Sequence, residues 1–152
     1  MTDPTDTAIT GRETFQPDDP RAALAGFYRA FNARDLALME RNWGHGADVS
    51  MDNPLGGIRR GWEDIRAVYQ RIFAGRARVH VEFHDYTLHA FGETFIAVGR
   101  ERGRLEAPGI TLDLAIRTTR VFHRIDGAWR QFHHHGSIEN PDLLRAYQEA
   151  VR

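Results

Sequence analysis

Late in the chain, Arg120 and the run His133-His134-His135 place a guanidinium and several imidazoles on either side of one turn. An imidazole can take a proton, and a guanidinium can hold the negative oxygen that the loss of that proton creates. Upstream, Asp52-Asn53-Pro54-Leu55-Gly56 adds a carboxylate and a neutral amide donor. Asp126-Gly127 lies between two strand-like runs, a strong hairpin signal. If these two residues are the centre of the turn, Phe122 faces Gln131, Arg120 faces His133 and Thr118 faces His135. Opposed side chains share a sheet face. That face begins Leu112, Leu114, Ile116 and should be the covered one, so it carries Arg120, His133 and His135 inward. These three and Asp52 are the catalytic candidates. A single bulge beyond Ile116 would exchange the set for His134, Thr119 and Arg117. A covered arginine needs a carboxylate, and Asp52 and Glu101 are the two to test. Two histidines at alternate strand positions can chelate an ion, but the spacing supplies no third ligand, so no metal is assigned.

The elements that position these groups are legible from period and capping. Asp19-Pro20 starts a helix, whose face carries Leu24, Phe27, Tyr28 and Phe31. Asp35 caps a short second helix with Leu36, Met39 and Trp43, stopped by Gly44-His45-Gly46. Residues 48–52 form a short strand. Trp62, Ile65, Val68, Tyr69, Ile72 and Phe73 mark a third helix ending at Gly75. From Arg78 the period becomes two, with strands near 78–84, 94–104, 110–124 and 129–137. Asn140-Pro141 opens a closing helix with Leu143, Leu144, Tyr147 and Val151 on one face. Helices come early and strands late, which predicts an α+β domain with helices on one sheet face. Residues 1–18 read as a flexible leader and 19–152 as the domain.

Phe27, Tyr28, Phe31 and Trp62 serve as core or as walls against a ligand. His80 and His84 fall opposite the apolar Val79-Val81-Phe83 face, toward solvent or a partner subunit. Arg100, Arg102 and Arg104 fit a solvated edge strand guarded by charge, or the rim of an anion site.

Bulk composition narrows the classes. The 152 residues are 41% apolar and 27% charged, enough for one domain with a real core. A net charge of −1 gives no footprint for nucleic acid or an acidic membrane. All basic residues are arginine. Without cysteine there is no disulfide, thiolate metal site or cysteine nucleophile. No apolar run reaches membrane-spanning length and the N-terminus lacks signal-peptide character, so a cytoplasmic protein is expected.

This order of elements, with Phe-Asn-Ala-Arg-Asp-Leu at residues 31–36, the Asp52–Gly56 stretch and the ending from Asp126-Gly127-Ala128-Trp129 to Gly136-Ser137, resembles the ketosteroid isomerase and SnoaL-like superfamily. The resemblance spans about residues 20–140. It implies the nuclear transport factor two-like cone, a curved antiparallel sheet wrapped around N-terminal helices with an internal pocket. It also implies a homodimer through the outer sheet face. Members include isomerases, dehydratases, cyclases, epoxide hydrolases and pockets with no chemistry, and fold does not choose among them.

The isomerase pattern is unfilled. Asn53 stands where the aspartate base belongs, Phe27 where the tyrosine belongs, and no acid lies between Thr119 and Phe122. The relay of the epoxide hydrolases is absent, as are a Ser-His-Asp elbow, a phosphate loop and a dinucleotide fingerprint. What remains is a small-molecule pocket lined by Phe27, Tyr28, Phe31, Asn53, Trp62 and Thr118, with no cofactor implied. In one reading a histidine abstracts a proton next to a carbonyl while Arg120 and Asn53 stabilise the enolate oxygen, as an isomerase, cyclase or dehydratase requires. In another the pocket only binds a small carboxylate or apolar metabolite. In a third the domain is a dimerisation scaffold.

Overall fold

The computed structural model describes residues 8–152. Four helices and six strands run in the order α1 (Pro20–Ala33), α2 (Leu36–Asn42), β1 (Ser50–Asp52), β2 (Arg59–Arg60), α3 (Trp62–Ala74), β3 (Arg78–Phe91), β4 (Thr94–Ala107), β5 (Ile110–Ile125), β6 (Ala128–Ser137) and α4 (Pro141–Ala150). The caps expected from the sequence are made. The Asp19 carboxylate accepts from the Arg21 N–H, Asp35 from Leu38, and Asn140 from Asp142 and Leu143. Asp126 and Gly127 both take positive φ, 51° and 79°, in the two-residue turn that joins Ile125 to Ala128.

The strands form one sheet in the order β2-β1-β6-β5-β4-β3. Every neighbouring pair is antiparallel except β1 and β6, which run parallel, so the sheet is mixed. It is curved and unclosed, and the α+β cone is the observed fold. The apolar faces of α1 and α3 pack on its concave side, with Leu24, Phe27, Tyr28, Ile65 and Tyr69 against Val81, Phe83, Phe95, Leu114 and Ile116. α4 adds the buried Tyr147. No described helix is long and apolar enough to cross a membrane.

Four features differ from the sequence reading. Residues 8–18 do not hang free. Ile9 is 1% exposed and exchanges both backbone hydrogen bonds with Phe83, and the Arg29 guanidinium donates to the Gly11 and Glu13 carbonyls. The first seven residues of the expected leader lie outside the described residues. The two-residue β2 carries no apolar alternation and left no signal. β4, with Arg100, Arg102 and Arg104 on its exposed face, lies between β3 and β5 rather than at an edge. Their charge therefore guards a solvated face and not an open hydrogen-bonding edge.

The last difference decides the site. The β5–β6 pairing runs Phe122↔Gln131 and then Val121↔His133, so Phe132 is a bulge residue with no cross-strand partner. Beyond it the pairs are Arg120↔His134, Thr119↔His135 and Thr118↔Gly136. Because the extra residue lies in β6 alone, Arg120 and Thr118 still point inward, while the histidines change sides.

Curvature also demands close strand approach. A Cβ on Gly103, opposite Val81, would lie 1.9 Å from the His80 carbonyl oxygen, an impossible contact. Gly103→Ala is expected to destabilise the fold by about 1–3 kcal/mol, measured as a lower urea midpoint at unchanged m-value.

Candidate functional site

Among the described residues the concave face holds one buried charge pair, and its surroundings explain how it persists. Arg120 on β5 is 2% exposed and Glu101 on β4 is 5% exposed. Arg120 Nη2 donates to Glu101 Oε2 at 2.7 Å, and the Tyr28 hydroxyl donates to the same oxygen at 2.7 Å. Arg120 Nη1 donates to Gln131 Oε1 at 2.8 Å and Nε to the Tyr28 oxygen at 3.3 Å. Gln131 in turn donates to Asn42 Oδ1 at 2.9 Å, and Asn42 to the Ala23 carbonyl at 2.9 Å. The guanidinium carbon lies 3.5 Å from the centre of the Phe27 ring. Of the two carboxylates considered for Arg120, Glu101 is the partner.

Next to this pair is a narrow cavity of about 40 Å³. By the usual measure of ~10–15 Å³ per water it has room for roughly three waters. The several hundred Å³ common for ligand sites are not reached, because Phe27, Phe31 and Tyr69 fill the cone. Phe27 and Phe31 come from α1, Tyr69 and Ile72 from α3, Asn53, Pro54 and Leu55 from the segment after β1, and Tyr147 from α4. Arg120, Glu101 and His134 complete the wall.

The polar atoms at this wall are few. His134, 4% exposed, has Nδ1 at 3.4 Å from the Thr119 carbonyl oxygen, a contact in which the ring nitrogen donates. Its Nε2 makes no hydrogen bond among the described residues. Burial, then the nearby Arg120 charge, hold its pKa well below the ordinary histidine value, so the ring is neutral. Glu101 Oε2 takes both hydrogen bonds offered to that carboxylate, and Oε1 accepts none among the described residues. Burial pushes the Tyr69 hydroxyl up to about 12, and raises Tyr147 as well. Both phenols therefore stay protonated at neutral pH, and the Tyr69 hydroxyl lies beside the N–H groups of Arg120 and Trp43. The arrangement offers one neutral acceptor nitrogen, one carboxylate oxygen and two O–H donors around a small apolar space.

The sequence candidates divide accordingly. Arg120, Asn53, Phe27 and Phe31 line the cavity. Tyr28 is one layer deeper, as the hydroxyl that bridges Arg120 and Glu101. Trp62 is buried away from the cavity, stacked on Trp43 and His45 and donating to Glu40. Thr118 points inward and is 2% exposed, with Oγ1 unpartnered, but it is not a wall residue. His133 and His135 do not share the covered face with Arg120. The Phe132 bulge turns them outward, where both meet Asp52, at 3.4 and 2.5 Å. Asp52 itself pairs beside His135 on the parallel neighbour β1 and faces outward too. His134 takes the inward place. In the sequence Tyr69 and Tyr147 are apolar helix positions only; helical period marks a buried face and cannot separate a core tyrosine from one whose hydroxyl reaches a cavity.

A curved, helix-covered sheet with one polar corner in an apolar cone is the nuclear transport factor two-like fold. Residues 21–141 match the SnoaL-like domain model, and the chain belongs to that family. Solved relatives agree. An NTF2-like protein of Streptomyces avermitilis, with a provisional dehydratase assignment, superposes with TM-score 0.69 at 22% identity over 76% of this chain and 89% of its own. A domain of Thiobacillus denitrificans, provisionally described as a calcium/calmodulin-dependent protein kinase type II association domain, gives 0.67 at 30% identity over 84% and 100%. An NTF2-like superfamily protein of Salmonella enterica gives 0.68 at 19% identity over 76% and 84%. No curated protein matches the sequence.

Glu101→Gln leaves the guanidinium without its counter-charge and should cost about 3–5 kcal/mol in urea denaturation, whereas Arg120→Met/Glu101→Leu together should cost less than the single change. The raised tyrosine pKa values add stability that is complete below the unfolded value near 10 and is lost as pH rises toward and past 12. Urea midpoints should therefore fall steeply between about pH 10 and 12, and tyrosinate absorbance should appear together with unfolding.

Proposed function

We propose that the cavity binds a short-chain carbonyl compound and removes a proton from the carbon next to its carbonyl, the first step of an isomerase, cyclase or dehydratase. The observation that carries this reading is the state of His134: Nδ1–H is tied to a backbone carbonyl, and the lone pair of Nε2 has no partner among the described residues. In that tautomer Nε2 is the acceptor a general base needs. The carbonyl oxygen would be held by the Tyr69 or Tyr147 hydroxyl, assisted by an Arg120 N–H not committed to Glu101, Gln131 or Tyr28. Three of the five guanidinium N–H groups are used in the hydrogen bonds described above. The developing enolate then meets donors fixed before reaction, in a space too small for bulk water.

The cavity volume favours a substrate with few heavy atoms at its reacting end. The non-catalytic alternative, an apolar or carboxylate binder, is narrowed by charge. Arg120 already faces Glu101, so little net positive potential remains to hold a carboxylate, and an uncharged ligand fits better.

The test is α-proton exchange into deuterated water across a panel of short aldehydes and ketones, followed by proton NMR. Wild type is expected to catalyse exchange. His134→Gln should lower the rate by about 100-fold or more, and Tyr69→Phe by a similar factor, while His80→Gln should leave it unchanged. Saturable ligand binding without exchange in the wild type would leave the binding reading alone, and neither binding nor exchange would end both.

A further inference from the structure

On the opposite face of the sheet from the cavity, three metal-ligating side chains converge that the proposed chemistry does not use. We propose that Asp52, His133 and His135 form a binding site for a divalent first-row transition cation. His133 Nε2 lies 3.4 Å from Asp52 Oδ1, His135 Nδ1 lies 2.5 Å from Asp52 Oδ2, and one ligand atom from each residue falls within 4.8 Å of the other two. Ligands held about 2.0–2.2 Å from a common ion lie about 3–4 Å apart, so small side-chain adjustments bring the set onto one centre.

Backbone geometry builds the set. The parallel β1–β6 pairing puts Ser50 opposite His133 and Asp52 opposite His135. Alternation then places all four side chains on the outer face, with Met51 and His134 inward between them. The Phe132 bulge sends both outer histidines to that side. A second observation points to a ligand role. His133 Nδ1 contacts Ser50 Oγ at 2.8 Å, which fixes the ring and directs Nε2 toward Asp52. A metal-bound imidazole is ordinarily oriented in this way, through its other nitrogen, by an oxygen partner.

The chemistry of the donors selects the ion. Two imidazole nitrogens and one carboxylate suit zinc, iron(II), cobalt or nickel, and are poor for magnesium or calcium, which take oxygen ligands. Three protein ligands leave positions open for water or a small ligand. The side chains are accessible, with His135 57% and His133 35% exposed. Beside His135 a hollow of about 340 Å³, bordered by Arg100, Arg117 and Ser137, gives such a ligand space.

The experiment uses the full chain, freed of metal with a chelator and titrated with Zn²⁺ by calorimetry and with Co²⁺ by visible absorption. One ion per chain is expected, with Co²⁺ bands of a nitrogen and oxygen environment. His135→Ala and Asp52→Asn should each weaken binding by about 100-fold, and Ser50→Ala, which removes only the orienting hydroxyl, by about tenfold. A His80→Ala/His84→Ala variant should bind as wild type. His135→Ala, the most exposed of the set, is expected to melt like the metal-free wild type and carries the decision if another variant fails to fold. Binding that persists in His135→Ala, that is lost equally in the His80/His84 variant, or that never reaches one ion per chain would overturn the site. Because the cavity lies across the sheet, His134→Gln should leave the metal titration intact, so either proposal can fail alone.

Discussion

The Arg120–Glu101 pair is the constraint around which the cone is arranged. A charge pair removed from water loses several kcal/mol of hydration per ion and recovers it only with near-complete hydrogen bonding. Here the recovery draws on most of the fold. Tyr28 comes from α1, Gln131 from β6 and Asn42 from α2, and Phe27 covers the guanidinium with its ring face. Each contributor is itself nearly inaccessible. The chain of donors from Arg120 through Gln131 and Asn42 to the Ala23 carbonyl crosses from sheet to helices without an unpaired atom. Such a network specifies which strand lies beside which, since a slip of one residue in β4 or β5 would strand a buried charge. It also shapes the cavity, because the oxygen and N–H groups left over are the ones available to a ligand.

The Phe132 bulge is the second constraint, and it sorts three consecutive histidines into different environments. Without it, Gln131, His133 and His135 would all enter the covered face, adding two imidazoles to a space already holding an ion pair. With it, only Gln131 and His134 enter, followed by Gly136, whose missing side chain leaves room for Pro54 and the His134 ring. The bulge is anchored from outside. The Phe132 ring meets His123 edge-on at 5.4 Å and lies against Gly44, while the Gly44 N–H donates to the Gln131 carbonyl. One inserted residue thus separates a dry imidazole from two wet ones.

The same two features mark where sequence reasoning succeeds and where it stops. Asp19-Pro20, Asp35, Asp126-Gly127 and Asn140-Pro141 act through local chemistry, so caps and turn are found where their residue types predict. Alternation in β5 correctly turned Arg120 inward, because Leu114 and Ile116 fix that face. The demand of a buried guanidinium for a carboxylate narrows its partner to Asp52 or Glu101, and Glu101 is the one it meets. Register past the bulge was not legible, since Gln131-Phe132-His133-His134-His135 has no clean polar–apolar alternation to show which residue is extra. Asp52 was misplaced for a related reason. Its neighbour in space is set by a parallel pairing between strands far apart in the chain, and no local pattern encodes that. Tyr69 and Tyr147 escaped as site residues because periodicity reports burial and is silent about what a hydroxyl touches.

The sheet also divides the molecule electrostatically. On the concave side a cation and an anion cancel within hydrogen-bonding distance, so the cavity has little net charge to attract an ion, and selectivity rests on donors, acceptors and shape. On the convex side Asp52 is accessible and, among the described residues, forms its ion pairs with the two imidazoles alone. An ion would meet a high desolvation barrier and a carboxylate already paired with Arg120 in the first place, and a solvated carboxylate beside two imidazoles in the second. The two faces therefore differ through the burial and pairing of their carboxylates, more than through the histidines that both possess.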